Sequence, residues 1–408
     1  MRERVPLPAD VRFHPTALRG HDVFLYRRVA DQRRALLAVG VRMAGEEPRF
    51  DAAGRAGDWW FGHMAYGYKD RLEALTSRCA DGFNWPLTSW FVPRWVFEWN
   101  ADGVSLHVHA EDRAEGLAFA ETLLACPDAM AASRRIAWEP STANAEHLRH
   151  AAAMLSHIQL GDIYEVNYCI AHEAIDGAFD PFTAFGALLA RTDAPFAGFY
   201  RMGHRFALCC SPERFIAFDG LHMRSEPMKG TRPRGADAEQ DIRLRDELAN
   251  DPKERSENVM ALDVMRNDFS RVSVPGTVRV PELFGVRTHP RVHQLVSVVE
   301  AQRAPVFTPF DAVKAAFPPA SMTGAPKIRA MQLIDAHEGR ARGLYSGTMG
   351  FFAPDGTADL NVVIRTLLCD SATGMLSIPT GSALTSKCDP AAEWEECLVK
   401  FTSIADVL

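Results

Sequence analysis

Hydrophobic and polar positions change their period along the chain. Over residues 1 to about 140, short aromatic runs between turns read as strands: DVFLYRR, LTSWFVPRWVFEWNADG and VSLHVHAED. RAEGLAFAETLLA reads as a helix. The segment PDAMAASRRIAWEPSTANAE, at about 127–146, follows neither period and reads as a linker or edge loop. A helix is predicted next at about 145–159, ending at Gly161, then a strand over IYEVNYCIAHEA. Strands follow at about 197–201, 205–210 and 213–218, and helices at about 237–248 and 252–268. A strand near about 278–287 precedes helices at about 309–316 and 325–337. Strands at about 344–353 and 359–369 lead into a last helix at about 390–405. Meandering strands interleaved with helix pairs, without internal repeats, predict an α+β fold with large antiparallel sheets and helices outside.

Composition narrows the classes. The 408 residues are 47% hydrophobic and 24% charged, enough for two domains or one large body. A net charge of −7 with no long basic run argues against a nucleic-acid or anionic-membrane partner. The start, MRERVPLPADVRF, has no apolar signal core, and no run of about 18 apolar residues occurs. Eight cysteines without a C-x-x-C pair, two of them adjacent at Cys209 and Cys210, suit free thiols in a reducing compartment. The expectation is a soluble cytoplasmic protein.

Two matched Glu-x-x-Glu dyads stand out. DPKERSENVMALDVMRND carries Glu254 and Glu257, and DPAAEWEECLVKF carries Glu393 and Glu396. Asp251 and Asp389 are predicted N-caps, with Pro252 and Pro390 at the first helical position. A three-residue step puts both carboxylates of a dyad on one helix face. Either dyad alone suits ordinary helix-start glutamates on a solvated face equally well. Two such faces brought together would form an oxygen-rich site suited to Mg²⁺ and a few retained waters.

The order of the remaining motifs is specific. GDIYEVNY (161–168), SPERF (211–215), SEPMKGTRPRG (225–235), ENVMALDVMRND (257–268) and SMTGAPKIRAM (321–331) precede RGLYSGTMGF (342–351), NVVIRT (361–366) and EWEECLVKF (393–401). This series resembles the chorismate-utilising enzymes, which include component I of anthranilate synthase and of aminodeoxychorismate synthase, and the isochorismate and salicylate synthases. The resemblance covers roughly residues 145–405; the first 140 match only in general character. It implies two large antiparallel β-sheets packed as a sandwich with helices outside and an active-site cleft near one end. Residues 1–140 would be an N-terminal subdomain lending strands to the shared sandwich, and residues 141–408 the chorismate-binding catalytic domain.

The resemblance also implies roles. Glu257 and Glu396 fall where the family binds Mg²⁺ directly, and Glu254 and Glu393 where it holds the outer shell through water. The metal then grips the ring carboxylate of chorismate. Arg365 and Tyr345 match positions that bind the enolpyruvyl carboxylate, and Lys400 matches a substrate-carboxylate lysine. Thr231, Thr323 and Gly381 fall in substrate-binding segments, Gly381 as a backbone N–H donor. Glu213 matches the general acid that protonates the departing hydroxyl on ring carbon 4, a role that needs a partly desolvated carboxyl. His293 matches a histidine tied to pyruvate elimination in anthranilate synthases; taken alone it reads as a packed core histidine. The glycine-rich segment before the last helix departs from the family as Gly381-Ser382-Ala383, and Ala320 replaces a common glycine.

Two positions bear on the nucleophile. Water-adding members carry lysine where this chain has Glu165, and ammonia users typically carry glutamine, so water addition is disfavoured. Lys229, in PMKGT, stands where aminodeoxychorismate synthases usually carry lysine and the other members alanine. In that subgroup the amine attacks ring carbon 2 and expels the carbon-4 hydroxyl, and ammonia then attacks carbon 4 and expels the lysine. A neutral amine is required, so a depressed pKa is expected from burial or from Arg232 and Arg234 nearby. The resemblance is therefore closest to aminodeoxychorismate synthase component I, using chorismate and ammonia in 4-aminobenzoate and folate synthesis. No cysteine has the glycine-rich setting of a glutaminase nucleophile, so ammonia would be free or come from a glutaminase subunit, and a separate lyase would act downstream. The rivals are anthranilate synthase component I and a non-catalytic paralogue that binds chorismate or a partner.

Overall fold

Every strand among the described residues belongs to one of two sheets. The computed structural model describes residues 2–29, 34–79, 81–126, 136–289 and 292–408. The twelve-stranded sheet runs Glu3–Leu7, Gly103–Val108, Trp95–Asn100, Arg34–Val39, Val23–Val29, Phe196–Met202, Arg205–Ser211, Thr366–Asp370, Met375–Thr385, Glu165–Ile175 and Gly324–Ala325, with Glu139–Pro140 also beside Glu165–Ile175. The ten-stranded sheet runs Met228–Pro233, Val292–Gln302, His222–Ser225, Arg214–Asp219, Thr357–Val362, Thr348–Phe352, Trp60–Met64, Thr88–Val92 and Met43–Gly45, with Arg279–Thr288 also on Val292–Gln302. The ladders are antiparallel, as in Glu165–Ile175 against Met375–Thr385 and Met228–Pro233 against Val292–Gln302.

The sheets pack face to face. Leu25, Leu36, Ala38 and Tyr200 of the larger sheet share a core with Trp60, Phe61, Trp90, Ile216 and Phe351 of the smaller. Their strand neighbours Phe24, Tyr26, Leu37 and Val39 point the other way, onto Phe119, Leu123, Phe182 and Phe185 of helices Arg113–Ala125 and Pro181–Thr192. Burial on both faces explains why the first 140 residues read as aromatic runs with little polar alternation. Arg27, 0% exposed, spans the gap between sheets to Asp359 at 2.6 Å, and Asp359 also takes Arg214 at 2.8 Å.

The chain crosses between the sheets at several points. Thr88–Val92 lies in the smaller sheet and Trp95–Asn100 in the larger. The single strand expected at 359–369 is likewise two, Thr357–Val362 and Thr366–Asp370, in different sheets. Arg365 sits between them at φ +49°, a left-handed conformation outside the extended region of regular strands. The strand expected from 344 starts only at Thr348, because Leu344–Gly347 forms a turn.

The predicted helices at 145–159, 237–248, 252–268, 309–316, 325–337 and 390–405 correspond to Asn144–Gln159, Ala238–Asn250, Pro252–Ser270, Pro309–Ala316, Lys327–His337 and Pro390–Ala405. Helix Pro181–Thr192 and strands Met228–Pro233, Val292–Gln302 and Met375–Thr385 had no counterpart in the sequence expectations. Of the linker expected over 127–146, residues 127–135 lie outside the described residues; the rest holds strand Glu139–Pro140 and a helix start at Asn144. Among the described residues no helix is long and apolar enough to cross a membrane. Cys169, Cys209, Cys210, Cys369 and Cys397 are buried free thiols.

Candidate active site

Both dyad helices begin as their sequences require. The Asp251 side chain accepts from the backbone N–H groups of Lys253 and Glu254, and Asp389 from that of Ala391, with Pro252 and Pro390 next in line. The helices meet through a residue to which the sequence reading gave no role. Lys253 Nζ donates to Glu393 Oε1 at 2.8 Å and lies 3.7 Å from Glu257 Oε1. Glu254 pairs with Arg232 at 3.2 Å, and Glu396 with Lys400 at 2.6 Å. Lys400 also donates to the carbonyl of Gly381 at 2.6 Å.

The donor set fits a hard cation. Glu257 Oε1 and Glu393 Oε2 are buried oxygens without a hydrogen-bond partner, one from each dyad; Ser382 lies beside Glu393 without forming a well-made bond. An unpartnered buried carboxylate oxygen is costly unless something positive arrives to use it. Burial pushes the Glu257 carboxyl up to about 7, and pushes Glu393 up as well. For Glu396, burial acts upward, but Lys400 together with Lys253 and Lys229 outweighs it and holds the carboxyl below its ordinary range. Glu396, whose side chain is 45% exposed, is the most open of the four, whereas Glu393 is enclosed. Among the described residues no three His, Cys, Asp or Glu side chains already stand as a metal-holding group, and Lys253 occupies the space between the dyads.

Lys229 stands beside the first dyad, on a strand that is bulged there. The ladder with Val292–Gln302 shifts register between Lys229 and Thr231, and Gly230 there has φ +82°. A Cβ on Gly230 would lie 2.7 Å from Glu254 Oε2, so glycine answers both the backbone conformation and the close approach. Lys229 Nζ lies 2.5 Å from Glu165 Oε1 and 4.0 Å from Glu257 Oε2. The expected depressed pKa is overturned. Burial acts to lower it, but Glu165 and Glu257 hold the ammonium well above the ordinary lysine range. Nor do the neighbouring arginines oppose its charge: Arg232 binds Asp251 and Glu254, and Arg234 binds Asp241.

Glu213 follows the bend after strand Arg205–Ser211, its carbonyl fixed by the N–H of Val362. Burial pushes its carboxyl up to about 7, against the opposing pull of Ser321, Lys229 and the Met228 N–H. The Ser321 hydroxyl sits beside it without a well-formed hydrogen bond. Such a group holds a proton near neutrality and can donate it.

The remaining predicted residues divide. Arg365, at the crossover, donates to Ser403 at 2.9 Å; burial lowers its guanidinium below the ordinary arginine range, with Glu396 acting against that shift. Thr323 turns its hydroxyl onto the carbonyls of Pro319 and Ala320, and Thr231 is exposed at the bulge. His293 is buried between Thr288 (2.9 Å) and Asp241 (3.0 Å), and neither partner belongs to the dyads. Arg342 and Glu338 were also missed as a pair. They form a buried ion pair at 2.5 Å that ties the carbonyls of Met322 and Asn167 and the N–H of Cys169 together, fixing the strand that carries Glu165.

A buried proton donor, a lysine and two facing acidic dyads on a two-sheet scaffold are the equipment of an enzyme. The chain matches the family described as chorismate binding enzyme over residues 28–406, and it belongs to that family. It is 44% identical over 253 residues to "Aminodeoxychorismate synthase" of Streptomyces griseus, a match covering 62% of this chain and 34% of that protein. The chain thus spans about a third of that relative's length. It is 36% identical over 345 residues to "Aminodeoxychorismate synthase component 1" of Klebsiella aerogenes, covering 84% of this chain and 75% of that one. Its fold is that of anthranilate synthase component I from Streptococcus pneumoniae TIGR4, with a TM-score of 0.76 at 21% identity over 99% of this chain and 92% of that one.

Proposed function

We propose that the chain is an aminodeoxychorismate synthase component that places nitrogen on ring carbon 4 of chorismate. The observation that carries this reading is the position of Lys229. It is buried between the two sheets, 2.5 Å from Glu165 and 4.0 Å from Glu257, and close enough to Glu213 to perturb its carboxyl. A surface loop lysine would have none of these partners.

The free site holds Lys229 as an ammonium, so its proton must leave before it attacks. Glu165, at hydrogen-bond distance, is the acceptor. The freed amine forms a bond to ring carbon 2, both conjugated ring double bonds shift by one position, and the carbon-4 hydroxyl departs as water with the proton from Glu213. Ammonia then bonds to carbon 4 and the electrons return through the ring. The carbon-2 bond to Lys229 breaks, and the lysine leaves as the amine. Arg365 and Lys400 would hold substrate carboxylates. Glu254, Glu257, Glu393 and Glu396 would hold Mg²⁺, which when bound neutralises the ring carboxylate and draws electrons from the ring.

Ammonia from a glutaminase partner fits the name of the Klebsiella relative as a component 1. A separate lyase would complete 4-aminobenzoate for folate synthesis. The proposed site residues fall between positions 165 and 400, which supports 141–408 as the catalytic part, while strands before 140 join both sheets. Buried free thiols suit a reducing cytoplasm.

The test is product analysis with chorismate, Mg²⁺ and ammonium. A species converted to 4-aminobenzoate by an added lyase supports the reading. Anthranilate and pyruvate without the lyase would move the chain to the tryptophan branch, and no turnover with free ammonium or with glutaminase and glutamine would make it a binding paralogue.

A further inference from the structure

The first dyad helix carries a cation where helices prefer anions. Lys253 lies in the first turn of Pro252–Ser270, where free N–H groups and the helix dipole disfavour positive charge. Its ammonium reaches across to the other dyad helix, bonding Glu393 at 2.8 Å and standing 3.7 Å from Glu257. Each of these carboxylates keeps one buried oxygen without a hydrogen-bond partner, so the ammonium screens both and satisfies neither in full. The Lys253 side chain is 40% exposed and can rotate into solvent without opening the core.

We propose that Lys253 is a resident cation of the dyad site, holding its carboxylates together when metal is absent and displaced when metal enters. The proposal rests on reading the dyads as the Mg²⁺ site. An ammonium at hydrogen-bond distance and a divalent ion at roughly 2.1 Å cannot use the same carboxylates without strong mutual repulsion. Lys253 therefore stabilises the empty protein and weakens metal binding. It is a positioning residue: its charge acts through Glu257 and Glu393. A lysine that stayed in place as part of the outer shell would have the opposite effect on affinity.

The experiment is calorimetric titration of Mg²⁺ into the wild type, Lys253→Met and Lys253→Arg without substrate, with thermal melts of each at zero and saturating Mg²⁺. Lys253→Met is expected to bind Mg²⁺ about tenfold more tightly or better, to melt lower without metal and to gain more from it. Lys253→Arg, which keeps the charge, is expected to stay near the wild type. If Lys253→Met folds only when Mg²⁺ is added, that also supports the proposal. Equal or weaker binding by Lys253→Met overturns it while leaving the metal reading intact. No binding to any of the three overturns both.

Discussion

Lys229 and Glu165 close the gap between the two sheets: Nζ of one, on the ten-stranded sheet, stands 2.5 Å from Oε1 of the other, on the twelve-stranded sheet. Their side chains are 9% and 5% exposed, so little water shares the charge. Removing one partner strands the other in a poorly solvated site, whereas removing both leaves a site that apolar groups can fill. Glu165→Leu and Lys229→Met are each expected to cost on the order of 3 kcal/mol in denaturant unfolding, and the double variant much less than the sum. Additive single costs would mean that the pair is not coupled.

The same lysine separates a structural from a chemical role. Lys229→Arg keeps a cation beside Glu165 but cannot form and release the carbon–nitrogen bond. It is expected to retain most of the wild-type stability while amination at carbon 4 falls by about a hundredfold or more, as loss of a covalent nucleophile requires. Steady-state rates with ammonium, read beside melting curves, test this. Amination by Lys229→Arg or Lys229→Ala at the wild-type rate would remove the nucleophile from the proposed chemistry.

Glu213 ties the acid role to a pH dependence of stability. Its carboxyl, pushed by burial from 4.5 to about 7, keeps its proton in the fold after the unfolded chain has lost it. Its stabilising contribution is therefore fully present below about pH 4.5, falls as pH rises and is lost above about pH 7. The span corresponds to roughly 3 kcal/mol. Glu257, also raised to about 7, adds a loss in the same window in metal-free protein. Glu213→Gln removes only the Glu213 share, so its stability relative to the wild type is expected to rise by that order between pH 4 and pH 8. Urea unfolding at both values measures it; a difference that does not change with pH would show that Glu213 titrates normally.

What the sequence made legible follows from where each signal resides. The Asp-Pro starts and three-residue steps are local, and the dyad helices with their caps stand where those rules put them. Motif order located Lys229, but not its charge, because the arginines next to it in sequence bind Asp251 and Asp241 while Glu165 arrives from the other sheet. Lys253 was hidden by its neighbours: a lysine four residues before a glutamate reads as a surface pair until the second dyad helix is seen packed against it. The split of the strand at 359–369 was equally hidden, since a lone arginine in VVIRTLLC reads as one outward-facing position of a continuing strand. The strand order and the φ of Arg365 together reveal that the chain changes sheet there.

That crossover yields the last prediction. At φ +49° Arg365 holds a conformation that costs about 1–2 kcal/mol for a residue with a Cβ, and none for glycine beyond its chain entropy. If Arg365 binds a substrate carboxylate as proposed, the guanidinium there is retained against the backbone preference. Arg365→Ala keeps the strain and loses the guanidinium; Arg365→Gly loses both. Both variants are expected to raise KM for chorismate by roughly thirtyfold or more, the scale of a lost charge-assisted carboxylate contact. Arg365→Gly is expected to be at least as stable as Arg365→Ala despite its greater chain entropy. Saturation kinetics and unfolding of the two proteins separate the claims: an unchanged KM removes Arg365 from carboxylate binding, and a glycine variant clearly less stable than alanine removes the strain.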